Sequence, residues 1–105
     1  MKWNVTVHDL AVEEINNLPQ DMRVKLCRLT DLMVEVGPFE LREPHVKKLG
    51  HKLWEIRLTG RDGISRVIYM IMKEKRIHFL HAFIKKTNKT PKSAIECALK
   101  RVKEE

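Results

Sequence analysis

The residues able to do chemistry in this 105-residue chain fall late in it and at alternating positions: Glu55 with Arg57, then Arg66, then His81 with Lys85 and Lys86. Lys47, Lys48, Trp54 and Tyr69 stand close to them along the chain. Lysine and arginine hold backbone phosphates, and aromatic rings stack on bases that lie outside a duplex, so this mixture suits RNA. Cleavage of RNA through its own 2′-hydroxyl needs a base for that proton, cations for the charge developing on phosphorus and an acid for the leaving oxygen. Glu55 and His81 are the candidate proton carriers, and Arg57, Arg66 and the Lys85-Lys86 pair the candidate cations. Each has a plainer reading. Glu55 beside Arg57 is also what a surface ion pair looks like, His81 between Leu80 and Ala82 reads equally as a core histidine, Trp54 and Tyr69 as core aromatics, and Lys85-Lys86 as a solvated charge run. His45, His51, His78 and His81 lack ligand spacing, so no metal site is expected. No Gly-rich phosphate loop is present, and no nucleotide cofactor is expected.

The elements that must position these residues follow from hydrophobic periodicity. Trp3, Val5 and Val7 alternate with polar neighbours, which predicts a short strand. Asp9 offers an N-cap to a short helix bearing Leu10, Ala11, Ile15 and Leu18, closed by Pro19. Met22, Leu26, Leu29, Met33 and Val36 then draw an apolar stripe from Gln20 to Val36, ended by Gly37-Pro38. In this reading the two helices form an αα-hairpin. After a loop from Pro38 to Pro44, Val46 to Gly50 is a candidate edge strand with lysines outward. Trp54, Ile56 and Leu58 occupy one face of the next strand, and Leu53, Glu55 and Arg57 the other. Gly60 to Gly63 supplies turn residues, and Ile64 to Met72 is apolar enough for a central strand covered on both faces. Arg66 sits near its start. Lys73 to Lys75 makes the next turn, and Arg76 to Lys85 is a last strand with Ile77, Phe79, His81 and Phe83 on one face. Thr90-Pro91 reads as a capped start to a helix with Ala94, Ile95, Ala98, Leu99 and Val102 on its buried stripe and Lys92, Lys100, Arg101 and Lys103 elsewhere. The expected fold class is α+β: β-α-α, an antiparallel β-meander, then a C-terminal helix.

Composition bounds the function classes. With 43% apolar and 33% charged residues the chain is a folded protein of one domain over residues 1–105. No apolar run approaches the roughly 20 residues of a membrane span, and the N-terminus has no signal-peptide core, so a cytoplasmic protein without a membrane partner is expected. Cys27 and Cys97 are read as reduced core thiols. Residues 1–44 carry five Lys/Arg against eight Asp/Glu, a net of −3, whereas residues 45–105 carry 16 against six, a net of +10. A basic half of that density faces a polyanion or an acidic partner protein.

The runs Leu53-Trp54-Glu55-Ile56-Arg57, Gly63-Ile64-Ser65-Arg66-Val67-Ile68-Tyr69, Leu80-His81-Ala82-Phe83-Ile84-Lys85-Lys86-Thr87 and Thr90-Pro91 together resemble the phage-derived Gp49-like, HigB-type branch of the RelE/ParE toxin superfamily. The motifs span roughly Leu49 to Arg101. This resemblance implies a toxin of a type II toxin–antitoxin module, a RelE-like fold, cleavage of mRNA on the ribosome without a metal, and neutralisation by a small antitoxin, often a helix-turn-helix protein of HigA type. It implies that Arg57 contacts the RNA backbone and Arg66 the scissile phosphate, with Lys85 or Lys86 as the basic residue after the last strand. Glu55 falls where RelE has a lysine proposed for proton transfer, and the C-terminal tyrosine of RelE has no counterpart in the final helix. The ParE branch shares the fold and poisons gyrase, so inhibition of gyrase or another protein target is the alternative, as is an inactive phage remnant that only binds its antitoxin.

Overall fold

The computed structural model describes residues 2–85 and 89–104. Its order is β1 (Asn4–Val7), α1 (Asp9–Asn16), α2 (Gln20–Val36), a 3-10 turn (Pro38–Glu40), β2 (Val46–Gly50), β3 (Leu53–Gly60), β4 (Gly63–Met72), β5 (Arg76–Lys85) and α3 (Lys92–Val102). The strands form one sheet in the order β1-β5-β4-β3-β2. Four of them make the antiparallel meander expected from the alternating runs, and β1 joins its far side parallel to β5.

The two faces of the sheet bury different sets. On one, Met22, Leu26 and Met33 of α2 pack on Ile56, Leu58, Val67, Tyr69, Ile77 and Phe79. On the other, Ala94 and Ala98 of α3 pack on Leu53, Ile68 and Leu80. Strand β4 is therefore covered on both sides, which is why its sequence is apolar at nearly every position. Tyr69 belongs to the α2 face and is fully buried, with no solvent-facing ring to offer a base. Trp54 is half-buried on that same face, where the Lys48 ammonium lies 5.7 Å from its ring centroid.

Several sequence expectations change for local reasons. Helix α1 is capped by His8, whose Nδ1 accepts from Leu10 N at 3.2 Å, and Asp9 is its first residue. Helices α1 and α2 do not form a tight hairpin: α1 lies along β5, while α2 crosses β3 and β1. Val36 and Leu10 are exposed, so the buried stripes are narrower than the periodicity suggests. Cys27 is exposed and Cys97 half-buried, so neither is a core thiol. In β5 the pairing shifts from Ile68 with His81 to Tyr69 with Phe79, leaving Leu80 as an extra, bulged residue. That bulge reverses the alternation. Ile77 and Phe79 face α2, whereas His81 and Phe83 face the α3 side with Lys85, their rings stacked at 5.2 Å between centroids.

The β3–β4 hairpin that carries the charged strands is tied down from α2. Asp21 Oδ2 accepts from Arg61 N at 2.8 Å, and Gly60 leaves room for that carboxylate, since a Cβ there would lie 2.5 Å from the oxygen and push it aside. Lys25 of α2 also donates to the Thr59 carbonyl.

Candidate functional site

Pairing places the charged residues around Arg66 on the α3 side of the sheet. Arg66 pairs with Arg57 on β3 and with Phe83 on β5, and its diagonal neighbours are Glu55 on one side and His81 and Lys85 on the other. Lys47 pairs with Glu55 from the edge strand β2. Along this face the side chains change from apolar (Leu53, Ile68, Leu80), which α3 covers, to charged (Glu55, Arg57, Arg66, Lys85) toward the β3–β4 turn. The sheet face thus brings together Glu55, Arg57, Arg66, His81, Lys85 and Lys47. It does not bring Lys48, Trp54 or Tyr69 to them, because these project to the α2 side. Lys86 lies outside the described residues.

Glu55 is the hub, and it is not a surface ion pair. Its carboxylate is 1% exposed, and Oε2 lies 3.5 Å from both Arg57 Nε and Arg66 Nε. Oε1 accepts from the Thr90 hydroxyl at 2.5 Å. Thr90 therefore anchors the carboxylate and does not cap α3, whose N-cap is Pro91 without a side-chain bond. A buried carboxylate is tolerable only with such compensation, and here one anion stands among Arg57 on its own strand, Lys47 on β2 and Arg66 on β4.

The cations remain in excess. The Arg66 guanidinium is 6% exposed and donates from Nη1 to the Ser65 carbonyl at 2.9 Å. Burial lowers its pKa, Glu55 raises it and Arg57 lowers it again. Lys85 is likewise buried: desolvation and the Arg66 charge lower its pKa, Glu55 opposes them, and Arg57 and Lys47 add to the lowering. The Nε–H groups of Arg57 and Arg66 are buried without a hydrogen-bond partner among the described residues. Unsatisfied buried donors are uncommon in folded proteins and ask for an explanation. Both Nε atoms lie 3.5 Å from Glu55 Oε2, beyond ordinary hydrogen-bond distance, so that carboxylate is the anion they face.

His81 sits at the border of this patch in a second network. Its Nδ1 is 2.9 Å from Glu14 Oε1 of α1. Arg101 of α3 meets the same carboxylate in bidentate fashion, with Nη1–Oε1 and Nη2–Oε2 both 2.8 Å, and donates also to the Leu80 carbonyl. Glu14 Oε1 accepts from Ala82 N at 3.1 Å as well. These bonds serve the edge of β5 beyond β1, where backbone groups would otherwise lack partners. Arg101, expected on the polar side of α3, is accordingly buried. Burial pushes the Glu14 carboxyl up, but Arg101, the Ala82 N–H and His81 outweigh it and hold its pKa at about 2. Sequence reasoning missed Glu14, Thr90 and Arg101 as parts of the site's frame. Glu14 and Arg101 are 87 residues apart, and no local spacing marks such a pair.

A sheet of this order with α1 and α2 on one side and α3 on the other is the RelE-like toxin fold. The structure of a double arginine-to-alanine mutant of the E. coli toxin RelE in the free state matches with a TM-score of 0.69 at 18% identity, covering 97% of this chain and 99% of that one. The archaeal RelE–RelB complex from Pyrococcus horikoshii matches with a TM-score of 0.59 at 28% identity, over 80% of this chain and 96% of that one. The toxin–antitoxin complex RelBE2 from Mycobacterium tuberculosis matches with a TM-score of 0.59 at 16% identity, over 81% of this chain and 100% of that one. No curated protein matches the sequence. The family described as Phage derived protein Gp49-like (DUF891) matches residues 13–103, and the chain belongs to it.

Proposed function

We propose that the protein is the toxin of a toxin–antitoxin pair and an mRNA endonuclease acting on ribosome-bound message. The observation that carries this reading is the clustering of Lys47, Arg57, Arg66 and Lys85 on one sheet face around the single buried carboxylate of Glu55. In the reaction the 2′-oxygen bonds to phosphorus as its proton leaves, the bond from phosphorus to the 5′-oxygen breaks, and the products are a 2′,3′-cyclic phosphate and a 5′-hydroxyl. Arg57 and Arg66 neutralise the phosphorane. Lys85, whose pKa is lowered mainly by burial and by Arg66, gives its proton to the 5′-oxygen. His81, 15% exposed with Nδ1 engaged by Glu14, takes the 2′-proton on its other ring nitrogen. Glu55, with its oxygens occupied by Thr90 and two guanidiniums, positions the cations. Lys47 and Lys86 extend the phosphate contacts. Two of the similar structures hold a toxin with its antitoxin, which supports a cognate antitoxin here; that it is of helix-turn-helix type rests on the sequence resemblance alone.

Induction of the wild type and of Arg66→Ala in cells tests the reading. Growth arrest with new mRNA 5′ ends in the wild type alone is expected, since removing one preorganised donor to a developing oxyanion typically costs about 100-fold or more in rate. Arrest with intact mRNA would move the target to a protein such as gyrase, and the absence of arrest would indicate a remnant that only binds its antitoxin.

A further inference from the structure

Counting hydrogens around Glu14 assigns the tautomer of His81. The Glu14 carboxyl, with its pKa held at about 2, is ionised near neutral pH and can only accept. Its Oε1 lies 2.8 Å from Arg101 Nη1, 2.9 Å from His81 Nδ1 and 3.1 Å from Ala82 N. Arg101 Nη1 has two hydrogens, and both are taken, one by Glu14 Oε1 and one by the Leu80 carbonyl at 2.8 Å. None is left for His81 Nδ1, which stands 3.4 Å from that nitrogen. A bare Nδ1 lone pair would thus face a carboxylate oxygen at 2.9 Å with no hydrogen between them. Nδ1 therefore carries the proton and donates it. The neutral ring keeps its lone pair on Nε2, which has no hydrogen-bond partner among the described residues.

We propose that Glu14 is a positioning residue for RNA cleavage, which fixes His81 as the Nδ1–H tautomer and so makes Nε2 the atom that takes the 2′-proton. This deepens the nuclease reading and rests on it. Free imidazole prefers the proton on Nε2, and in that form the nitrogen turned away from Glu14 would be a donor and no base. A base oriented by a third group is the recurring arrangement for activating a hydroxyl. Here the ring is held at Nδ1 by Glu14 and on its face by Phe83, stacked at 5.2 Å between centroids. As the 2′-oxygen bonds to phosphorus, its proton moves to Nε2 and the ring becomes an imidazolium. The Nδ1 proton stays where it is, and its bond to the carboxylate becomes charge-assisted at both ends. The proton on Nε2 then passes to water. Arg101, bonded to both oxygens of Glu14, aims the carboxylate in turn.

Long-range 1H–15N spectra of the imidazole rings read the tautomer directly, and His81→Gln identifies the signals of His81 among the five histidines. At about pH 8, above the ordinary histidine pKa of about 6.5, wild type should show the Nδ1–H form at His81, and an Nε2–H ring there overturns the proposal. Glu14→Ala has no acceptor at that place, so its ring should revert to Nε2–H. Arg101→Ala loses the bidentate clip but keeps the carboxylate, so it should be less stable and still show the Nδ1–H form. A tautomer lost in both variants alike makes Glu14 a structural clip only and overturns the positioning role. If Glu14→Ala does not fold, the wild-type spectrum decides alone. On ribosome-bound mRNA, folded Glu14→Ala should lose about 100-fold in kcat, the lower end for general base catalysis, with KM unchanged; an unchanged kcat overturns the proposal. The underlying reading fails separately: wild type that shows the Nδ1–H ring but cuts no mRNA overturns the nuclease, whereas wild type that cuts mRNA with an Nε2–H ring overturns only the role of Glu14.

Discussion

The bond set around Glu14 joins α1, β5 and α3, and its removal has a magnitude that can be worked out. The carboxyl pKa falls from 4.5 to about 2 in the folded protein. At 1.36 kcal/mol per unit, that depression amounts to about 3 kcal/mol of stability at neutral pH. Because the folded value is the lower one, the contribution is complete above the unfolded pKa of 4.5 and is lost as pH falls from there toward 2. Glu14→Gln keeps one acceptor oxygen but leaves Arg101, 8% exposed, without its countercharge. Breaking a buried pair from one side costs on the order of 3–5 kcal/mol, and the 27% exposure of the Glu14 side chain argues for the lower end. Urea unfolding of wild type and Glu14→Gln from pH 7 to pH 2.5 should therefore show a gap of about 3 kcal/mol at neutrality that closes through the acid range. A gap that stays constant from pH 7 to pH 3, or no gap at pH 7, would refute the assignment of this carboxylate as the clip.

Other perturbations separate the core from the site. The Tyr69 hydroxyl is buried without a hydrogen-bond partner among the described residues, and burial raises its pKa; Tyr69→Phe should leave stability equal or raise it by about 1 kcal/mol and leave RNA cleavage unchanged, as measured by unfolding and by mRNA 5′ ends. A loss of cleavage in that variant would return Tyr69 to the site. Gly60→Ala should push Asp21 off the Arg61 N–H, seen as a small drop in the urea midpoint. If Lys85 is the acid, the alkaline limb of kcat/KM lies below the ordinary lysine value of 10.5, because the lowered pKa releases the proton at lower pH. Lys85→Arg, always protonated, should remove that limb at reduced rate; an unchanged limb would assign the proton to another group.

How much of this was legible in the sequence depends on the range of each interaction. The alternation in Leu53 to Thr59 placed Glu55 and Arg57 on one face correctly, since period two is a local property of a strand. The same rule failed in β5, where one bulged residue, Leu80, carries His81 to the α3 side and leaves Phe79 in the α2 core. Nothing in the composition of that run marks the bulge. Trp54 and Tyr69, which the sequence offered both as base platforms and as core aromatics, lie on the α2 side: Trp54 is one position from Glu55 and Tyr69 three from Arg66, odd separations that put side chains on opposite faces of a strand. Thr90 had the local signature of a helix cap, yet the stronger claim on its hydroxyl came from a buried carboxylate 35 residues away.

The same geometry explains why a basic patch can be buried and still be a site. Arg66 and Lys85 are each 5% exposed, and taking cations out of water is costly even beside a carboxylate. A protein selected for stability alone would put apolar residues at these positions, as it does two residues away at Ile68. The cost is instead borne by the frame: Thr90 and the paired guanidiniums fix Glu55, α3 packs on Leu53, Ile68 and Leu80 beside them, and Glu14 with Arg101 locks α3 to the edge of β5. Under the proposed nuclease reading, cations held this way would not reorganise as charge developed on a phosphate, the preorganisation that electrostatic catalysis uses. The ion-pair hub and the α1–α3 clip are thus two parts of one arrangement, in which the desolvation of the charged centre is offset in part by bonds at the sheet edge.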